Sequence, residues 1–166
     1  MPNYAVGASA DDQTLGDGAN TNGTLLVVTY NYGTTVFSHA DATIDTSAIG
    51  TDTISAATFY WYHHAYTKTK TNSFHRLITL ESTGIFNSSA TPGAAGWHSV
   101  ALDATGIAAI NKTGNTMITF SMNDPTSGFN TWSIRSWDYD GAGGYACYLA
   151  VTHAPGGGPT KFSILR

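Results

Sequence analysis

The run Ala57-Thr58-Phe59-Tyr60-Trp61-Tyr62 constrains the fold of this chain more than any other stretch. Its residues alternate in the way a β-strand sorts side chains onto two faces. One face carries Ala57, Phe59 and Trp61; the other carries Thr58, Tyr60 and Tyr62. The run closes a strand–turn–strand unit from Asp41 to Tyr62. In its first half Ala42 and Ile44 alternate with Asp41, Thr43 and Asp45, and Thr46-Ser47 and Gly50-Thr51-Asp52 supply the turn. A strand this aromatic is expected at the centre of a sandwich core.

Other segments repeat the pattern. Thr24–Tyr30, Thr34–Asp45, Phe74–Leu80, Trp97–Leu102, Asn115–Met122, Thr131–Trp137 and Tyr145–His153 read as short strands bounded by turn residues. Polar loops are expected over Ala65–Ser73 and Glu81–Gly96. The one helical candidate is Asp103–Asn111, with Asp103 as N-cap, Ile107 and Ile110 on one face, and Gly114 as a left-handed stop. Strands at this spacing with one helical turn predict an all-β, two-sheet, jelly-roll-like β-sandwich with one short helix. The expected organisation is an extended N-terminal arm over residues 1–23, a sandwich over 24–153 and a flexible C-terminal tail over 154–166. The arm carries a short strand at Tyr4–Val6, and the tail opens on Pro155-Gly156-Gly157-Gly158-Pro159.

Composition narrows the function classes. The 166 residues suit one domain. Only 11% are charged, against about 25% in ordinary domains. Threonine is the commonest residue, so hydroxyls and amides must keep the surface wet. That suits a protein packed in an assembly or lying outside the cell. The net charge is −4 and the lysines and arginines are scattered, so no nucleic-acid partner is expected. No apolar run approaches the roughly 20 residues of a membrane-spanning helix, so no membrane partner is expected. No basic and apolar leader follows Met1, so a signal peptide is not expected. Cys147 is the only cysteine and sits in an apolar strand pattern, where it reads as a buried, inert thiol.

Several motifs occur together in an order that resembles a known group. They are Ser9-Ala10-Asp11-Asp12, Ile44-Asp45-Thr46-Ser47 with Ile49, Ile54-Ser55-Ala56-Ala57-Thr58-Phe59-Tyr60, Trp97 with Val100 and Leu102, Ala104 to Gly114, and Tyr148-Leu149-Ala150-Val151-Thr152-His153. This series resembles the DNRLRE-like, phage-type jelly-roll modules of phage virion (decoration) proteins and of carbohydrate-binding-type surface modules. It covers most of Asp41–His153. The group often has Arg and Phe where this chain has Ala42 and Ile44, and Tyr where it has His153. The resemblance implies a β-sandwich with a structural role and supplies no catalytic residues.

Catalytic and metal constellations are weak. Adjacent histidines on a strand face opposite ways, so His63 and His64 cannot share one zinc there; with His39, His75, His98 and His153 they read as surface or strand-end residues. Asp138-x-Asp140-Gly141 lacks the distal ligands of a calcium loop, and Gly156-Gly157-Gly158 lacks a following Lys-Ser/Thr. Asp11-Asp12 with Asp17 reads as a hydrated turn. Glu81 is the only glutamate, and no Gly-x-Ser-x-Gly elbow exists. No enzyme, cofactor or metal is therefore expected. Tyr60 and Tyr62, with Trp132 and Trp137, form the candidate surface: an oligomer interface, or a glycan-stacking platform. The expected function is a capsid decoration (cement) or head-fibre-like subunit on the virion surface. It would self-associate, with a trimer favoured, and contact the major capsid protein. The alternative is an extracellular carbohydrate-binding module.

Overall fold

A computed structural model describes residues 12–16, 19–21, 25–31, 36–68, 75–80, 83–89, 94–123, 129–135, 144–156 and 158–165, with side chains over 40–65, 94–120, 131–135, 144–156 and 158–165. The strands are β1 (Asp12–Gly16), β2 (Ala19–Thr21), β3 (Leu25–Asn31), β4 (Val36–Asp45), β5 (Thr53–Lys68), β6 (His75–Leu80), β7 (Thr83–Ser89), β8 (Gly96–Ala101), β9 (Asn115–Asn123), β10 (Phe129–Arg135), β11 (Tyr148–Ala154) and β12 (Lys161–Leu165). A 3-10 turn covers Ser47–Ile49, and helix α1 covers Ala104–Ala109. All pairing is antiparallel. One sheet runs β2-β1-β4-β9-β6-β7; the other runs β12-β11-β5-β10-β3, with β8 on the second edge of β5. The chain passes between them where β3 meets β4, at Tyr30 opposite Phe37 and Asn31 opposite Val36. The expected all-β, two-sheet sandwich is what forms, and its sheets are not closed.

Alternation fills the space between the sheets. The first sheet buries Ala40, Ala42, Ile44, Ile118 and Phe120; the second buries Ala57, Phe59, Trp61, Trp132, Ile134, Leu149, Val151 and Leu165. Phe120 is the pivot. Its ring centroid lies 5.7 Å from Phe59, 6.5 Å from Trp61 and 5.3 Å from Trp132. A fully buried Phe of this kind contributes about 1.5–3 kcal/mol by burial alone.

Strand β5 is the spine, about 50 Å long at the usual rise per residue. Phe59 pairs with both Leu149 of β11 and Val100 of β8, so those strands lie on opposite edges. His63 likewise pairs with both Ile134 of β10 and Gly96 of β8. Strands β10 and β11 therefore follow one another along a single edge of β5. Two register shifts mark the spine. Ala56 pairs with Thr152 and Ile54 with His153, which makes Ser55 the extra residue of a bulge. Below it the inward positions become Ile54 and Asp52. A second shift places His64 between the pairs Ala65–Ser133 and His63–Ile134.

A hydroxyl ties the turn after β4 to the loop after α1. Thr46 is fully buried; its backbone N–H donates to the Gly114 carbonyl at 3.0 Å. Asn111 N–H donates to Thr116 Oγ1 at 3.0 Å, and the Thr46 and Thr116 hydroxyls lie 2.7 Å apart. The Thr46 hydroxyl in turn donates to the carbonyl of Asn111 or of Gly114. Gly50, at φ +58 and ψ −124, donates its N–H to the Lys112 carbonyl at 2.8 Å. The Ile44–Ser47 and Ala104–Gly114 motifs are thus two sides of one structural joint.

Several expectations are corrected. Strand β5 continues to Lys68 where a loop was expected from Ala65, because Thr67 and its neighbours keep pairing with β10. Strand β7 occupies part of the expected loop Glu81–Gly96. Within the expected arm, β1 and β2 form a hairpin, and β1 pairs along β4. Within the expected flexible tail, β12 pairs along β11 and buries Leu165 completely. The polar or short strands among these are held by ladder hydrogen bonds, which leave no hydrophobic pattern. Asp103 caps α1 as expected, accepting from Gly106 N–H at 2.9 Å. Gly114, however, is no left-handed stop. The helix ends at Ile110, which turns extended to enter the core, and among the described residues the positive-φ glycines are Gly50 and Gly96. Tyr4–Val6 and Trp137 lie outside the described residues.

Candidate functional site

The outer face of β5 gathers an aromatic cluster from four directions. Tyr60 stacks on Tyr148, its cross-strand partner in β11, at 4.6 Å and 8°. Tyr62 meets Trp97, its partner in β8, edge-on at 5.6 Å. Trp97 also meets Tyr148 at 5.5 Å, which links the two pairs. Tyr145 packs on Tyr62 at 4.7 Å. The Arg135 guanidinium lies 4.2 Å from the Tyr62 ring centre and 4.1 Å from that of Tyr145. Arg135 ends β10 and Tyr145 precedes β11, so the order of these two strands along β5 brings both to Tyr62. Each cation–π contact is worth about 0.5–1 kcal/mol where exposed. The tyrosines are half-buried, while Trp97 is 45% exposed at the rim.

Of the residues expected on this surface, Tyr60 and Tyr62 are there. Trp132 is not: it is 0% exposed on the inner face of β10, where its Nε1 donates to His63 Nδ1 at 3.1 Å. Trp132 and Ile134 are the inward alternates of that strand, so its aromatic character served the core. Reading the sequence missed Trp97, Tyr145, Tyr148 and Arg135 as members. Their grouping depends on which strands flank β5, and no local pattern states that.

Among the described histidines, His63 meets His98 edge-on at 5.5 Å. Among the described residues no three His, Cys, Asp or Glu side chains come together as a metal site. His63 and His153 are buried; His153 stands at the end of β11, within the expected surface or strand-end placement, whereas β5 runs on past His63. Because the Trp132 indole can only donate, His63 accepts at Nδ1, and in the neutral ring its proton sits on Nε2. His98 stacks on Trp61 at 5.8 Å. Cys147 is buried, as its apolar setting predicts.

A polar corner forms where β5 begins. The Ser55 bulge turns Asp52 inward, opposite His153 of β11. His153 Nδ1 lies 2.8 Å from Asp52 Oδ2, and His153 Nε2 lies 2.8 Å from Ser163 Oγ of β12. Lys161 Nζ stands 3.3 Å from the same Asp52 oxygen, and Lys112 Nζ donates to the Asp52 carbonyl at 3.1 Å. The hydrogen bond from His153, helped by Lys161 and opposed by burial, holds the Asp52 carboxyl below its usual range. Beside this corner is an open cleft of about 230 Å³ lined by Thr53, Ile54, Ile107, Ala108, Ile110 and Lys112.

Compared with protein families, with curated proteins and with solved structures, the chain matches none.

Proposed function

We propose that this chain is a structural subunit of a phage virion, a decoration (cement) or head-fibre-like protein, and that the outer face of β5 is its assembly surface. The observation that carries this reading is how the ring faces on that surface are used. Tyr60 and Tyr148 cover one another. Tyr62 and Tyr145 share Arg135 between them. A sugar platform needs ring faces open to a pyranose; here the cluster is braced internally, with Trp97 exposed at its rim. Tyr, Trp and Arg are the residues enriched at protein interfaces and among their hot spots. The low charge and the phage-type motif series point the same way. The partners on this reading are further copies of the chain, as a trimer, and the major capsid protein. Capsids stripped of this subunit should lose heat resistance, and unchanged resistance counts against the role.

The exposure of Trp97 supports a second reading, a carbohydrate-binding module. Titrating the tryptophan fluorescence with polysaccharides tests it; a saturable response abolished in Trp97→Ala favours it over assembly.

A further inference from the structure

We propose that the corner formed by Asp52, His153 and Ser163 is a nucleophilic site for short-chain O-acyl esters, with Ser163 as nucleophile, His153 as general base and Asp52 as positioning residue. This goes beyond the assembly role and does not rest on it.

The polarity of the network is the first argument. A carboxylate can only accept, so a neutral His153 places its proton on Nδ1, toward Asp52. Its Nε2 lone pair then faces the Ser163 hydroxyl at 2.8 Å. That is the tautomer that removes a proton from a serine, and nucleophile, base and orienting group stand in the required sequence. Lys161 at 3.3 Å favours the ionised form of Asp52.

Access is the second argument. Asp52 and His153 are 8% and 3% exposed, while Ser163 is half-buried on β12, the terminal strand of its sheet. The third is a backbone donor. Thr152 turns its carbonyl toward β5, where Ser55 Oγ donates to it at 3.2 Å. In an antiparallel strand the polar groups of successive residues alternate between edges. Val151 therefore faces β12, its partner Ser163 faces back, and the Ile164 N–H points to the far edge, where no described strand pairs. The amide following the nucleophile thus points away from β11, on the edge where an acyl oxygen would be met. Val151, the cross-strand partner of Ser163, and Leu165, two residues further along β12, are both 0% exposed and make the surroundings of the hydroxyl apolar.

In the proposed step Ser163 Oγ attacks the acyl carbon while its proton passes to His153 Nε2. The carbonyl π pair moves onto oxygen. Collapse of the adduct breaks the bond to the alcohol, which departs with the proton from His153. Water repeats the sequence on the acyl-serine, releasing the acid and restoring Ser163.

The test is treatment of the folded protein with a fluorophosphonate, read by peptide mass spectrometry, alongside hydrolysis of p-nitrophenyl acetate. A single adduct on Ser163 is expected, absent in Ser163→Ala, which removes only a half-buried hydroxyl. His153→Asn should slow labelling by about 100-fold or more. Asp52→Asn should lower kcat by a similar factor at unchanged KM, which a role confined to stapling β12 would not do. Folded wild type without an adduct at Ser163, or labelling at an unchanged rate in folded His153→Asn, overturns the proposal, as does an unchanged kcat in Asp52→Asn.

Discussion

Thr46 shows how one hydroxyl can hold a joint that spans distant parts of the chain. Its side chain reaches two carbonyls and the Thr116 hydroxyl while fully buried. Thr46→Val keeps the shape and takes its hydrogen-bond partner from the buried Thr116 hydroxyl, at a cost of about 1–3 kcal/mol. The urea midpoint should fall with an unchanged slope. Gly50 is constrained differently. A Cβ there would meet nothing within 4 Å, but φ is +58. Gly50→Ala should therefore cost about 1–3 kcal/mol through backbone strain alone. Acid acts on Asp52. Its folded carboxyl titrates below the ordinary value of 3.8 because His153 and then Lys161 stabilise the charge. The unfolded chain thus takes up that proton first. The stability it contributes is present above about pH 4 and is lost as the pH falls through the lower folded value. Thermal midpoints recorded from about pH 5 to pH 2 should fall less steeply in Asp52→Asn than in wild type. The pattern Ile44-Asp45-Thr46-Ser47 was visible in the sequence; its partner loop, more than sixty residues away, was not.

At the scale of elements, alternation was legible and pairing was not. The two faces of β5 could be assigned residue by residue, because the strand period is fixed. The bulge at Ser55 could not be assigned, and it decides that Asp52 faces His153. Strands β7 and β12 went unread because a short edge strand carries little apolar pattern. Strand β12 is also the sharpest test of the architecture. Leu165 is 0% exposed at its end, so Leu165→Ala should cost about 2–5 kcal/mol. A flexible tail would leave the urea midpoint unmoved.

For the whole molecule, the sandwich class followed from strand spacing, whereas the aromatic cluster required knowing that β8 and β11 flank β5. Trp132 illustrates the difficulty: it shares an aromatic strand pattern with the surface residues, yet its register places it in the core. The assembly reading makes Trp97 the separating residue, since it is 45% exposed at the rim of the cluster. The most direct measurement is the solution mass by light scattering over a concentration series, for wild type and for Trp97→Ser. Wild type should form a stable oligomer, with a trimer expected, and Trp97→Ser should dissociate while keeping its fold, read by circular dichroism. A wild-type monomer at every concentration, or an oligomer indifferent to Trp97→Ser, would contradict an assembly surface on the outer face of β5.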